Sequence, residues 1–354
     1  MENLKHAQVH IATTNGVTKK CVKCSDESVQ RSGTMMEYCG GCFLIMIKSK
    51  FRSAVTKERV FKGRDRRVMV LLDGSKKAAF LFRQVEETVK QDSFKPLMME
   101  PCFVLLFSCM DTSDLHVLEE KLPIFRQSLP STYYVVHLAA SLGDIDVADD
   151  NTCHGLQYLP KLIEFSKAFC AAVHREEAMR ILKIRLLQKL SRYTGISKLM
   201  VPCNSDELAE LTIAQLCLGR GGNISKNDRC GGKDSGRNSV YKTIERYQLR
   251  GNRSRSSSGK HGTLRFSLRE REASTERSLQ WMSSDFLARL GKEGFTGTVP
   301  TILGISRKIH ALIGEISCII CGCSFSGEEK FCYSCSNITR KLPASFVDCI
   351  CCVV

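Results

Sequence analysis

Arg67-Val-Met-Val-Leu-Leu-Asp-Gly-Ser-Lys-Lys-Ala-Ala79 is the stretch that decides the fold of this 354-residue chain. Its first half is a short apolar run, which predicts a strand buried on both faces. Gly74-Ser-Lys-Lys77 predicts a turn, and the pattern that follows predicts a helix over 78–90. A strand that runs through a short turn into a helix is the beginning of a βαβ unit.

The alternation of strands and helices continues towards the C-terminus. Three more apolar runs predict strands, and three longer amphipathic patterns predict helices. The strands fall at 103–107, 133–138 and 198–202, and the helices fall at 160–169, 176–192 and 205–218. Strands that alternate with helices favour the α/β class, with a doubly wound parallel sheet.

Two groups of cysteines flank this predicted core, and each consists of two Cys-x2-Cys hooks. The groups are Cys21, Cys24, Cys39 and Cys42 near the N-terminus, and Cys318, Cys321, Cys332 and Cys335 near the C-terminus. Two thiolates of one hook converge on a tetrahedral ion, and a second hook closes the site. We therefore expect two structural zinc sites, with Cys323 as a competing ligand in the second.

The spacing of these cysteines leaves other chemistry open. A redox dithiol is one alternative, although such a motif would not be expected twice in one chain. An iron–sulfur cluster is another, because four-cysteine sites serve both zinc and iron–sulfur centres.

The composition indicates a folded protein with a polyanionic partner. Hydrophobic residues make up 43% of the chain, which is enough for a core, and the formal charge is +15 with a pI near 9.1. RNA, DNA and acidic membrane are the candidate partners. The first twenty residues lack the apolar run of a secretory signal, and no segment is long enough to span a bilayer. We expect a soluble cytoplasmic protein whose cysteines are not in disulfides.

A strongly basic stretch follows the first cysteine group. Phe51, Val55 and Phe61 recur at helical spacing, so residues 48–67 predict an amphipathic helix. A solvated helix face explains the pattern, and its charge also makes it a candidate contact for nucleic-acid phosphates. The candidate contacts are Lys48, Lys50, Arg52, Lys57, Arg59, Lys62, Arg64, Arg66 and Arg67.

These features divide the chain into five segments. We expect an N-terminal zinc module, an α/β core, a basic Ser/Arg-rich insert that is flexible, a C-terminal helix with a second zinc module, and a short tail. The segments run over 1–47, 48–225, 226–278, 279–345 and 346–354.

No catalytic constellation stands out, since the eight histidines are scattered singly and no triad or carboxylate pair is visible. We predict no catalytic residue. The turn at Gly74 and Ser75 could cradle a phosphate, because it joins a strand to a helix N-terminus. It does not match Gly-x4-Gly-Lys-Ser/Thr, so the residues alone favour an ordinary strand–helix turn.

Several short blocks together resemble one family. They are Cys21-Val-Lys-Cys24, Tyr38-Cys-Gly-Gly-Cys42-Phe, Val201-Pro-Cys-Asn-Ser-Asp-Glu-Leu-Ala209, Leu216-Cys-Leu-Gly-Arg-Gly221, Gly297-Thr-Val-Pro-Thr-Ile302 and the C-terminal cysteine group. With these blocks the chain resembles the cytoplasmic tRNA 2-thiolation protein 2 family, over roughly residues 18–225 and 280–340. Residues 226–278 do not resemble the family's usual continuation.

The resemblance implies a fold of the adenine-nucleotide hydrolase-like group, whose active members hold the pyrophosphate of ATP with a Ser-Gly-Gly-x-Asp-Ser loop. The corresponding residues here are Asp73-Gly-Ser-Lys-Lys-Ala78, in which only Gly74 is retained. Ser75 adds a Cβ where phosphate must approach the backbone, and Lys77 reverses the expected charge. Active members also carry a Gly-His-Asn-x-Asp-Asp-like motif at a strand end. The corresponding residues here are Pro202-Cys-Asn-Ser-Asp-Glu207, in which Asn204 and Asp206 are retained. The resemblance therefore implies that Gly74 and Ser75 are remnants of a pyrophosphate loop with impaired ATP binding.

The resemblance also implies partners. Members pair with a catalytic sister subunit, and together they thiolate the wobble uridine of the lysine, glutamine and glutamate tRNAs. A thiocarboxylated ubiquitin-related modifier donates the sulfur. The chain would then be a non-catalytic tRNA-binding subunit without a membrane partner. Two alternatives remain open, namely an active sulfurtransferase that uses Cys203 or Cys217, and a generic zinc-ribbon adaptor for nucleic acid.

Overall fold

The computed structural model describes most of the two cysteine segments and of the region between residues 66 and 221. The described residues are 20–27, 30–31, 36–57, 61, 66–91, 98–110, 112, 115–148, 151–221, 224, 278–306, 308–309, 316–326 and 328–351. The basic insert predicted at 226–278 lies outside them except for Ser278, which caps a helix.

Eight strands and ten α-helices are assigned within these residues. The strands are β1 (Gln30–Arg31), β2 (Glu37–Tyr38), β3 (Arg67–Leu72), β4 (Glu100–Phe107), β5 (Thr132–His137), β6 (Leu199–Met200), β7 (Ile316–Ser317) and β8 (Ser324–Phe325). The helices are α1 (Gly40–Lys57), α2 (Lys76–Lys90), α3 (Leu115–Ser128), α4 (Leu159–Lys167), α5 (Ala172–Thr194), α6 (Ser205–Cys217), α7 (Leu279–Lys292), α8 (Thr298–Ser306), α9 (Tyr333–Thr339) and α10 (Ala344–Cys351).

The core is a four-stranded parallel sheet in the order β5-β4-β3-β6. Strand β3 is central because every residue from Val68 to Leu72 is buried. Its side chains alternate between two apolar clusters, with Met69 and Leu71 in one and Val68 and Val70 in the other. Helices cover both faces, so the predicted α/β class with a parallel sheet is confirmed.

Each cysteine segment is part of one of these two clusters. Cys21, Tyr38 and Phe43 belong to the cluster that contains Val68 and Val70. The C-terminal segment belongs to the opposite cluster, where the rings of Phe346 and Phe165 meet edge to face at 5.4 Å. The two cysteine groups therefore pack on opposite faces of the sheet, and their apolar residues extend the core.

Three differences from the sequence prediction concern the core and the helix after the first cysteine group. The basic helix predicted at 48–67 begins at Gly40 and ends at Lys57, because the second cysteine hook forms its first turn. It also crosses the segment boundary at residue 47. Helix α3 was not predicted, and it holds Pro123 within its length. Strand β6 has two residues instead of five, and it pairs only with Met69 and Val70 of β3.

No helix in the described part of the chain combines the length and the apolar composition needed to cross a membrane.

Candidate metal centres and the strand switch point

The N-terminal cysteine group is assembled by a tight turn and a helix start. Cys21 donates its backbone N–H to the carbonyl of Asp26 at 2.7 Å, which folds the first hook back on itself. Cys39 lies just before α1, where its Sγ accepts a hydrogen bond from the N–H of Cys42 at 3.4 Å. All four Sγ atoms lie within 4.8 Å of one another, with Cys24 and Cys39 at 3.4 Å. The structure thus brings together the four thiols that the Cys-x2-Cys spacing predicts to lie at one site.

The C-terminal cysteine group has the same arrangement in a more buried setting. Gly322, at φ +71°, closes the first hook by donating its N–H to the carbonyl of Cys318 at 2.8 Å. Cys332 is the N-cap of α9, and its Sγ lies 3.7 Å from that of Cys321. The four Sγ atoms, of which Cys335 contributes the most buried, again lie within 4.8 Å of one another. Cys323, the predicted competing ligand, is outside this group of four.

Both groups fit a single tetrahedral ion. A Zn–S bond of about 2.3 Å places neighbouring sulfurs of a tetrahedral site about 3.8 Å apart, close to the separations found here. In a cubane cluster each thiolate binds a different iron, which spreads the sulfurs further apart. Each group could therefore hold one metal ion, and four thiolates are the ligand set of both zinc and iron proteins.

A second candidate site lies at the carboxyl ends of β3 and β6. The strand order reverses direction there, and open α/β sheets bind ligands in such a crevice. Gly74 has φ +74°, which a side chain rarely adopts, and Ser75 caps α2 by accepting a hydrogen bond from the N–H of Ala78 at 3.2 Å. Asn204 caps α6 in a capping box with Glu207. Two helix N-termini therefore begin beside this crevice.

Internal ion pairs join the walls of the crevice. Lys77 at the start of α2 pairs with Glu207 at the start of α6, and Lys183 of α5 lies 3.4 Å from Asp73. The hydroxyl of Ser75 donates to Asp73 at 2.7 Å. Burial alone would raise the pKa of Asp73, but the charge of Lys183 and the hydrogen bonds of Ser75 outweigh it and the pKa is lowered. The charges in this crevice are thus matched with one another.

The predicted basic residues are divided between two places. Lys48, Lys50 and Arg52 lie on α1, and Lys48 and Arg52 line a groove of about 580 Å³ against α2. Lys48 pairs with Glu87 at 3.0 Å, and Arg52 donates to Gln91 across this groove. Arg66 and Arg67 instead stand at the amino end of β3, so they do not extend the helix face. Arg59, Lys62, Arg64 and the side chain of Lys57 lie outside the described residues.

His137 is a core histidine with a polar partner at each ring nitrogen. His137 is fully buried at the end of β5, with Nε2 at 2.8 Å from the carbonyl of Cys109 and Nδ1 accepting from the N–H of Ala139 at 3.1 Å. Burial lowers its pKa, which keeps the ring neutral.

Sequence reasoning missed the partners that complete the crevice. Lys183 and Glu207 are remote in sequence from the residues they pair with, and only the fold brings them close. One signal was available, because a lysine at position 77 in place of an acidic residue requires a nearby carboxylate if it is half-buried.

Comparisons with known proteins are consistent with the family resemblance. The chain is 29% identical to cytoplasmic tRNA 2-thiolation protein 2 of Caenorhabditis elegans, over 90% of this chain and 93% of that protein. It is 28% identical to the protein of the same name in Caenorhabditis briggsae, over 91% of this chain and 94% of that one. No family model matches the chain.

A solved structure has a similar fold. The U34-tRNA thiolase NcsA from Methanococcus maripaludis, determined with its 4Fe-4S cluster, matches 90% of this chain and 96% of its own with a TM-score of 0.58. At 17% identity this likeness concerns the fold alone. Over nine-tenths of its length the chain is therefore similar to proteins named cytoplasmic tRNA 2-thiolation protein 2, and the resemblance predicted from its sequence motifs is confirmed.

Proposed function

We propose that this chain is a non-catalytic subunit of a cytosolic complex that 2-thiolates the wobble uridine of the lysine, glutamine and glutamate tRNAs. The names of its relatives and the fold of a U34-tRNA thiolase support a role in tRNA thiolation. The proposed partners are a catalytic sister subunit and a thiocarboxylated ubiquitin-related modifier that donates sulfur.

The crevice between β3 and β6 carries the proposal that the chain is non-catalytic. A nucleotide pyrophosphate at this place needs the N–H groups at the start of α2 and unmatched positive charge. The side chain of Ser75 already accepts a hydrogen bond from one of these N–H groups, that of Ala78. The cations of Lys77 and Lys183 are paired with Glu207 and Asp73, respectively. The crevice residues therefore do not fit ATP, and we assign nucleotide binding to the sister subunit.

We further propose that each cysteine group holds a structural zinc ion. Tetrahedral spacing of the thiols and their position in the core support a structural ion. With zinc in place the ligands would fix the two hooks against opposite faces of the sheet. On α1, Lys50 is exposed and the pair of Lys48 with Glu87 is nearly half exposed, so solvent screens that pair and these cations would be available to tRNA phosphates.

Labelling of the intact complex tests the subunit assignment. The tagged chain should co-purify with the sister subunit, and a photoreactive azido-ATP should label the sister chain and leave this one unlabelled. A peptide from residues 73–78 or 201–207 carrying the label would contradict the proposal. Failure of the two chains to co-purify would also contradict it.

The alternative of a sulfur-carrying cysteine finds limited geometric support. Cys203 is half-buried one residue before the cap of α6, next to the crevice, whereas Cys217 is at the other end of that helix. A 13-residue helix separates them by about 20 Å, so the two thiols cannot act as a pair. Thiolation that persists with Cys203→Ser and Cys217→Ser would reject this role. A generic adaptor would instead bind RNA without preference for tRNA.

A further inference from the structure

The block Leu216–Gly221 ends α6 and turns one arginine into the core. Gly219 adopts φ +71°, and its N–H donates to the carbonyl of Leu216 at 3.0 Å. The N–H of Arg220 donates to the carbonyl of Gln215 at 2.9 Å. These two bonds are those of a Schellman motif, in which a left-handed residue, usually glycine, ends the helix. The chain reverses at Gly219, and the side chain of Arg220 is only 2% exposed.

The guanidinium of Arg220 joins a carboxylate to the C-terminal cysteine group. Nη1 pairs with Glu177 of α5, whose side chain is 1% exposed. Nη2 lies 3.2 Å from the Sγ of Cys335, one of the four candidate ligands. A charged donor at this distance forms a hydrogen bond with a thiolate and lowers the energy of its negative charge.

The charges around Glu177 call for a further anion. Its carboxylate accepts hydrogen bonds from Arg180 at 2.8 and 2.7 Å as well as from Arg220, so two cations share one negative charge. Arg180 keeps a quarter of its side chain in solvent, but Arg220 does not. A buried charge is costly unless it is paired. Four thiolates around one divalent ion carry a net charge of about −2, which supplies the missing anion.

We infer that Arg220 is the counter-ion and positioning residue of a metal–tetrathiolate centre at Cys318, Cys321, Cys332 and Cys335. The bound metal is then a structural part of the α5–α6 core, and the module is not an independent attachment. This inference goes beyond the proposed function, because it holds whether or not the complex thiolates tRNA.

The N-terminal cysteine group provides an internal comparison. Backbone N–H groups donate to its thiols, with Lys23 donating to Cys21 and Cys42 donating to Cys39, both at 3.4 Å. Substitution of Arg220 should therefore affect one of two metal equivalents and spare the other.

Metal release to a chromogenic chelator tests this assignment on the full chain. We expect Arg220→Met to weaken retention of one metal equivalent by about 10- to 100-fold, as found for other outer partners of metal ligands, and to leave the second unchanged. The matched control is Arg185→Met, because Arg185 is also a buried arginine of α5 and its Nε donates to the backbone carbonyl of Ile320 at 2.8 Å within the same module. Arg220→Lys keeps the charge and should recover part of the retention.

Substitution of the metal by cobalt provides an absorption band whose energy depends on hydrogen bonds to the thiolates and not on a general loss of packing. Removing a hydrogen bond from a thiolate shifts its sulfur-to-cobalt charge-transfer band to lower energy. The difference spectrum of Arg220→Met against the unsubstituted protein should show this shift, and that of Arg185→Met should not. An unshifted band in Arg220→Met, or equal loss of metal from both variants, would overturn the inference.

Hydrogen exchange of the unsubstituted protein applies even if Arg220→Met does not fold. Removal of the C-terminal metal should reduce amide protection in both α5 and α6 relative to β3 and β4. Protection that is unchanged in α5 and α6, or metal analysis that finds no ion at this site, would contradict the assignment.

Discussion

A double-mutant cycle on the ion pair between Lys77 and Glu207 tests whether the charges of the crevice are matched with one another and partly shielded from solvent. Lys77→Met removes the cation, and Glu207→Gln removes the anion while keeping an oxygen that can serve the capping box with Asn204. The two single variants and the double variant therefore isolate the charge interaction between the starts of α2 and α6.

The burial of the pair sets the expected magnitude. Lys77 is 28% exposed and Glu207 is 34% exposed, so solvent screens the pair only in part. Exposed pairs contribute about 0.2–1 kcal/mol and breaking a buried pair costs about 3–5 kcal/mol, so we expect a coupling free energy of about 1–1.5 kcal/mol. The exposed i,i+4 pair of Asp285 and Arg289 serves as control, with an expected coupling of about 0.3–0.5 kcal/mol.

Urea denaturation of the four proteins measures the coupling, provided that unfolding is reversible and the m-values agree. The coupling should decrease at high salt, but less than that of the control pair. A coupling at Lys77 and Glu207 no larger than at the control would mean that the crevice is open to solvent. The charges of the crevice would then be available to a nucleotide, contrary to the proposed function.

Three further predictions follow from the site and the core. Replacing Lys48 and Arg52 together by alanine should weaken tRNA binding and reduce the magnitude of the slope of log K against log salt concentration by about 2. Arg289→Ala on α7 should change neither the affinity nor the slope, and filter binding over a salt series measures both. Because the pKa of Asp73 is lowered in the folded state, its charge stabilises the fold above the unfolded value near 3.8, and this contribution is lost as the pH falls from there through the lower folded pKa. Asp73→Asn should therefore be less stable than the unsubstituted protein at neutral pH, and denaturation at several pH values should show the difference disappearing below the folded pKa. Phe346→Ala removes the ring packed on Phe165 and should cost about 3–5 kcal/mol, measured by the same denaturation, and an effect below 1 kcal/mol would place the C-terminal module outside the core.

The sequence predicted the sheet well because its strands are buried on both faces. Continuous apolar runs such as the one at 67–72 have few other stable positions in a fold, and the alternating helices imply parallel strands. The convergence of the thiols within each cysteine hook was equally predictable from the sequence, since a gap of two residues fixes the local geometry before any tertiary contact forms. The two hooks of each group also lie near one another in sequence.

The long-range interactions of the crevice and of the C-terminal cysteine group could not be predicted from the sequence in the same way. Asp73 meets Lys183 and Arg220 meets Cys335 across more than a hundred residues, so no local spacing could indicate them. The start of α1 at Gly40 was missed because the hook was read as a separate module, although its second cysteine pair forms the first turn of the helix. The block Leu216–Gly221 was recognised as a family feature, but its role in turning Arg220 inward depends on the position of α5.

The central claim is that this chain serves tRNA thiolation without a nucleotide site of its own. The most direct measurement is the 2-thiouridine content of lysine, glutamine and glutamate tRNAs, determined by mass spectrometry after depletion of the chain and its re-expression. We expect the modification to be lost on depletion and restored both by the unsubstituted chain and by the variant with Lys77→Met and Glu207→Gln. Wobble thiolation that is unchanged in a clean depletion would contradict the account.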